Sequence, residues 1–190
     1  NIVWAKMLEK AGCHVIYGLL GLKTHCKITL IVRRDEEGIC RYVHLGTGNY
    51  NDSTAKLYTD LGMFTCRRSV GEDATAVFNM LSGYSEPLSW NRLSLAPLWL
   101  KGKFLKLIRR EQEHARTGRE AGIKAKMNSL SDPEIIAALY EASAAGVKID
   151  LVVRGICCLK TGIPGVSENI TVRSIVGNFL EHSRIYCFDN

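Results

Sequence analysis

Apolar residues at Ile2, Val3, Trp4, Met7 and Leu8 recur at helical spacing and predict a helix over residues 2–11, ended by Gly12. The apolar-rich run 13–17 reads as a buried strand, and Gly18 and Gly21 mark a turn after it. Residues 24–32 are rich in β-branched side chains and predict a strand, with Asp35, Glu36, Glu37 and Gly38 as a hairpin turn into a second strand at 39–45. Alternate residues of a strand share a face, so His25, Lys27 and Thr29 are expected to project together.

Further along, residues 46–49 read as a loop, 54–58 as a helical turn, 61–65 as a strand, 72–81 as a helix and 82–91 as a linker. An amphipathic helix is predicted over 97–117, where Leu98, Leu105, Leu107 and Ile108 alternate with Lys101, Lys103, Lys106, Arg109 and Arg110. Its charged face is either solvated or a polyanion contact. Then come a strand at 123–127, a helix opened by a capping box of Ser131 and Glu134 with Pro133 in its first turn, and a strand at 147–153 after Gly146. Such a β-α-β unit implies parallel strands, a right-handed crossover and an α/β sandwich. Two domains are expected, 1–91 and 92–190.

One pattern occurs twice. A helix, Ala11-Gly12 and an apolar run precede His25-Cys26-Lys27; a helix, Ala145-Gly146 and an apolar strand precede His182-Ser183-Arg184. The echo suggests two similar halves, each giving one histidine to a shared pseudo-twofold active site.

Composition narrows the picture. Hydrophobic residues at 46% of 190 suit a globular chain with a buried core, and a net charge of +6 favours a polyanionic partner: a phosphate chain, nucleic acid or anionic lipid. Seven cysteines without zinc-site spacing read as reduced thiols of a cytosolic protein. No run approaches the ~20 apolar residues of a membrane span. The chain opens at Asn1 inside a helical pattern and ends directly after an apolar run, so it reads as an internal piece of a longer protein.

Phosphoryl transfer through a covalent intermediate needs a nucleophile, an acid or base for the leaving oxygen, and positive charge around the equatorial oxygens. The histidine pair with Lys27 and Arg184 offers all three, and Asn49 is placed to orient a histidine or a phosphate oxygen. His14, His44 and His114 read as structural.

Five segments then become specific together: Gly21-Leu-Lys-Thr-His25-Cys-Lys27, Tyr42-Val-His-Leu-Gly-Thr-Gly-Asn-Tyr-Asn51, Leu57-Tyr-Thr-Asp60, Leu151-Val-Val-Arg-Gly-Ile-Cys157 and Leu180-Glu-His-Ser-Arg184. With them the chain resembles the polyphosphate kinase family over essentially its whole length. The resemblance implies two phospholipase-D-like α/β sandwich halves, both incomplete here. It implies ATP-dependent, reversible phosphoryl transfer to inorganic polyphosphate, releasing ADP. His25 takes the place of the family's phosphohistidine, and His182 that of its acid/base. Tyr58, Arg154 and His182 match the nucleotide-contacting positions, with Lys27, Asn49 and Arg184 as further phosphate contacts. Magnesium accompanies ATP, and the arginines associated with it are expected upstream of Asn1. A homo-oligomer in the cytoplasm, peripheral to the membrane in some settings, and no nucleic-acid partner complete the implication.

Two other functions stay open at this point. A phospholipase-D-type phosphodiesterase would use the same His25 intermediate, but the aspartate usual five positions beyond the motif lysine is replaced by Val32. A non-catalytic polyanion-binding module would rest on the net charge and the basic helix.

Overall fold

The computed structural model describes residues 2–36, 38–83 and 85–190. The expected hairpin turn and linker thus fall partly outside the described residues, at Glu37 and Tyr84. The chain forms two compact units, Asn1–Leu45 with Met63–Leu93 and Gly46–Gly62 with Ser94–Asn190.

In the first unit, α1 (Ile2–Lys10) occupies its expected span. The Cys13 amide donates to the Leu8 carbonyl at 3.0 Å and Gly12 adopts φ 85°, a left-handed helix cap. Residues 13–17 correct the sequence reading, because they are not a strand and mostly lie exposed. A short apolar run becomes a strand only where a neighbour takes its backbone hydrogen bonds, and no ladder partner stands beside this one among the described residues.

Strand β1 (Lys27–Asp35) starts later than expected, so His25 precedes the strand rather than belonging to it. It is followed by β2 (Gly38–Gly46), the short helix α2 (Asp52–Ala55), β3 (Tyr58–Thr59) and β4 (Gly62–Thr65). Strands β1, β2 and β4 form one sheet in the order β1-β2-β4. Helix α3 (Arg68–Leu81) begins a turn earlier than its pattern suggested, and its Val70 and Ala74 bury against Val43 of β2. The described residues of 82–91 form neither helix nor strand, and their end is clasped. The buried Asp73 carboxylate accepts hydrogen bonds from the amides of Asn91 (3.0 Å), Arg92 (2.6 Å) and Leu93 (2.8 Å) and from Asn91 Nδ2 (3.0 Å).

The second unit holds the larger core. Helix α4 (Leu100–Arg116) is followed by β5 (Gly122–Met127), α5 (Pro133–Ala144), β6 (Lys148–Val153), β7 (Ile170–Arg173), β8 (Leu180–Glu181) and β9 (Ile185–Phe188). Its four-stranded sheet runs β7-β6-β5-β9. The β5–β6 and β6–β7 pairs are parallel, as the β-α-β reading of 123–153 requires, and β9 returns antiparallel to β5. Alternation sends Ile123, Ala125 and Met127 of β5, with Ile149, Leu151 and Val153 of β6, into one cluster with Leu105, Ile108, Leu139 and Ala142 from the helices. Each fully buried Leu or Ile side chain contributes about 1.5–3 kcal/mol by its removal from water.

The N-cap of α5 is Asp132, not the expected Ser131. The Asp132 carboxylate accepts from the amides of Glu134 and Ile135, both at 3.0 Å, with Pro133 in the first turn. A carboxylate one residue nearer the helix reaches both free amides at once, and its charge suits the helix N-terminus. The seven cysteines are free thiols. Among the described residues no helix is long and apolar enough to cross a membrane.

Candidate active site

In the second unit, parallel strands end in loops on one edge of the sheet, where open α/β sheets place their ligands. Asn128 follows β5 and Arg154 follows β6 on this edge. Strand β9 pairs Ile185 with Lys126, which sets Arg184 and Ser183 at the same edge. The Arg184 guanidinium donates to the His182 carbonyl at 2.7 Å and reaches Asn128 Oδ1 at 3.4 Å.

Residues 57–60 bind to this edge through β3 and β8, a two-residue parallel pair that matches Tyr58 with Leu180 and Thr59 with Glu181. The Leu180 amide donates to the Leu57 carbonyl, and the His182 and Ser183 amides both donate to the Thr59 carbonyl. Side chains reinforce the splice. Lys126 Nζ donates to Glu181 Oε2 and Ser183 Oγ, each at 2.6 Å, and Thr59 Oγ1 donates to Glu181 Oε2 at 3.0 Å. Lys126 first and Thr59 second hold the Glu181 carboxyl below the usual carboxylate range.

The splice delivers Asp60 to His182. Nδ1 of the buried His182 lies 2.7 Å from Asp60 Oδ1, and the Tyr58 ring tilts against the imidazole at 4.9 Å between centroids. Thr47 Oγ1 donates to the same carboxylate oxygen at 2.8 Å. Gly48 closes over the other one; a Cβ there would stand 2.7 Å from Asp60 Oδ2. Burial works to raise the Asp60 carboxyl, but the hydrogen bonds from His182 and Thr47 and the charges of His182 and Arg184 outweigh it and hold the group below its ordinary value. An ionised carboxylate only accepts hydrogen bonds, so Nδ1 carries the proton. In the neutral ring Nε2 is then the atom that keeps a lone pair.

Of the seven residues singled out in the sequence, Tyr58, His182 and Arg184 come together here, and Arg154 sits at the neighbouring strand end. The buried Nε of Arg154 has no hydrogen-bond partner among the described residues. A guanidinium N–H in that condition is suited to an anionic oxygen. Asn49 lies exposed in the loop beside Gly48, its carbonyl accepting the Asn51 amide at 2.8 Å. His25 and Lys27 belong to the first unit. Lys27 Nζ lies 3.2 Å from Nδ1 and 3.0 Å from Nε2 of the exposed His25 ring and donates to its carbonyl at 2.7 Å. The His-x-Lys spacing therefore joins the two side chains although only Lys27 lies within β1.

The sequence reading did not single out Asp60, Thr47 or Lys126. The Thr-Asp pair directly after Tyr58 was the signal for Asp60, but nothing local tells which histidine a carboxylate will meet.

Residues 1–87 match the family described as Polyphosphate kinase C-terminal domain 1, and residues 93–190 match Polyphosphate kinase C-terminal domain 2. The chain is 60% identical over 190 residues to a polyphosphate kinase of Lactiplantibacillus plantarum, covering 100% of this chain and 26% of that protein. It is 62% identical over 188 residues to one of Halalkalibacterium halodurans, covering 99% of this chain and 27% of that one. The crystal structure of polyphosphate kinase from Porphyromonas gingivalis superposes with a TM-score of 0.89 at 38% identity, covering 99% of this chain and 31% of that one. The chain thus spans about a quarter of the length of the curated relatives it matches.

Proposed function

We propose, from the premise that this chain belongs to the polyphosphate kinase family, that the protein carrying it moves the γ-phosphoryl group of ATP reversibly onto inorganic polyphosphate through a phosphohistidine at His25. In the first step a ring nitrogen of His25 bonds to the γ-phosphorus while its bond to the β-γ bridging oxygen breaks, and ADP leaves. In the second step a terminal oxygen of polyphosphate bonds to that phosphorus, the P–N bond breaks, and the chain is one unit longer.

The observation that carries this proposal is the buried His182–Asp60 pair at 2.7 Å. A histidine whose Nδ1–H is held by a carboxylate can take a proton at Nε2 and, as the imidazolium so formed, give it to a leaving phosphate oxygen, the two roles exchanging with the direction of reaction. Asp60 orients the ring and offsets the imidazolium charge without itself taking the proton. Tyr58 supplies an aromatic face and a hydroxyl to the nucleotide. Arg154 and Arg184 supply forked donors to phosphate oxygens, and Lys27 and Asn49 stand as further phosphate contacts. Fixed positive charge of this kind stabilises the transition state of phosphoryl transfer.

Among the described residues no group of three or more His, Cys, Asp or Glu side chains is placed to hold a metal ion. Magnesium enters the proposal as the partner of the ATP phosphates. Two phospholipase-D-like halves, residues 1–91 and 92–190, a homo-oligomeric whole and a cytoplasmic place, at times peripheral to the membrane, belong to the same proposal.

The test is incubation of the natural protein with γ-labelled ATP and magnesium, followed by mapping of acid-labile, alkali-stable label. Label on His25 that chases into polyphosphate, and is absent from His25→Ala, is the expected result. An ATP-competent protein that carries no label there and cleaves phosphodiesters instead would be a diesterase.

A further inference from the structure

We propose that the exposed face of α4 is a docking stripe for linear polyphosphate, gripping the polymer away from its reacting end; this rests on the phosphotransferase function proposed above. Helical geometry assembles the stripe. At 100° per residue, Lys103, Lys106, Arg109, Arg110 and Arg116 fall within one arc of about 140°, beside the arc of the buried Leu105, Ile108, Glu111 and Gln112. Residues 103–116 hold five basic side chains against Glu111 and Glu113, a net +3 and half of the charge of the whole chain. Glu111 is buried and paired with Arg110, which leaves Glu113 as the one carboxylate on the arc. Lys106, Arg109 and Arg116 are exposed and make no ion pair among the described residues.

A helix face that only needed solvation would gain by mixing signs at i, i+4 spacing. This face carries one carboxylate, Glu113, four residues after Arg109, against five basic groups, and the like-charge repulsion that remains is offset when an anion lies along it. The row extends about 20 Å at 1.5 Å per residue. A polymer with a negative charge on every unit meets all its members at once.

Two other polyanions fit less well. Single-stranded nucleic acid is held through aromatic platforms beside the basic residues. The one aromatic of this stretch, Phe104, packs on Tyr186 at 4.6 Å. A membrane-surface helix needs an apolar face turned to lipid, whereas the apolar face of α4 is buried in the core with α5 and β5.

The experiment compares the natural protein with its Lys106→Glu/Arg109→Glu/Arg116→Glu variant, using polyphosphate acceptors of a few units and of several hundred. The expected result is a KM for long chains raised about tenfold. The turnover number and the KM for short acceptors should stay unchanged, and the salt dependence of long-chain binding should flatten by roughly two to three in logarithmic slope. The corresponding triple Gln variant should fall between the two, and it decides the matter if the Glu variant melts early. Equal KM values for natural and variant proteins at both lengths would overturn the proposal. So would a variant that keeps polyphosphate binding but loses binding to single-stranded DNA or phosphatidylserine vesicles. If the natural protein transfers no phosphoryl group to polyphosphate at all, the phosphotransferase function itself fails and the stripe falls with it.

Discussion

Asp60 Oδ1 lies 2.7 Å from His182 Nδ1 across 122 positions of sequence. Replacing the carboxylate by an amide keeps the shape but removes the charge that balances an imidazolium. Asp60→Asn should therefore lower steady-state phosphoryl transfer by about 10²-fold or more, the usual scale of a positioned acid–base group. The KM for ATP should move only a few-fold, because the nucleotide contacts proposed at Tyr58 and Arg154 are untouched. Equal losses in both quantities, measured by initial rates, would point to a merely structural Asp60.

Gly48 stands where any side chain meets the Asp60 carboxylate, with a Cβ at 2.7 Å from Oδ2 and 2.8 Å from Cγ. Gly48→Ala should push Asp60 off His182 and reproduce much of the Asp60→Asn rate loss, at a stability cost of about 1–3 kcal/mol from overpacking. Rates and a denaturant titration read the two effects separately.

Asp73 joins α3 to the chain at 91–93 by four accepted hydrogen bonds. Asn in its place turns an NH₂ group toward two of those donors, and Asp73→Asn should cost about 2–4 kcal/mol. Burial works to raise the Asp73 carboxyl, but the amides of Arg92, Asn91 and Leu93 outweigh it, so the folded value lies below the ordinary 3.8. The stabilisation from this group is then whole above 3.8 and is lost as pH falls through the lower folded value. Urea midpoints at pH 7 and pH 3 should differ more for the natural protein than for Asp73→Asn.

The cap of α5 gives a paired test. Asp132→Ala removes the acceptor for two amides and an ion pair with Lys101, and should lower the melting temperature by about 2–4 °C. Ser131→Ala should leave it within a degree or so, the reverse of what a capping box at Ser131 would give.

Local periodicity was a good guide to α1, α4, β5, α5 and β6, because helix and strand periods and the caps at Gly12 and Gly146 depend on neighbours a few residues away. It failed at residues 13–17, where a strand needed a partner. It also passed over β7, β8 and β9, short segments of which two are held by parallel neighbours distant in the chain.

The candidate site divides in the same way. Its chemical types stood in the primary structure: His25 two residues before Lys27, His182 two before Arg184, and the motif strings around Tyr58 and Arg154. Such spacing is set by covalent geometry, so it survives any fold that keeps the local backbone extended. The pairing of Asp60 with His182 came from a two-residue splice of β3 onto β8 and from a loop that brings Thr47 and Gly48 over the carboxylate. Contacts across more than a hundred residues depend on which surfaces pack, a property of the whole core, and no local pattern of residues encodes them.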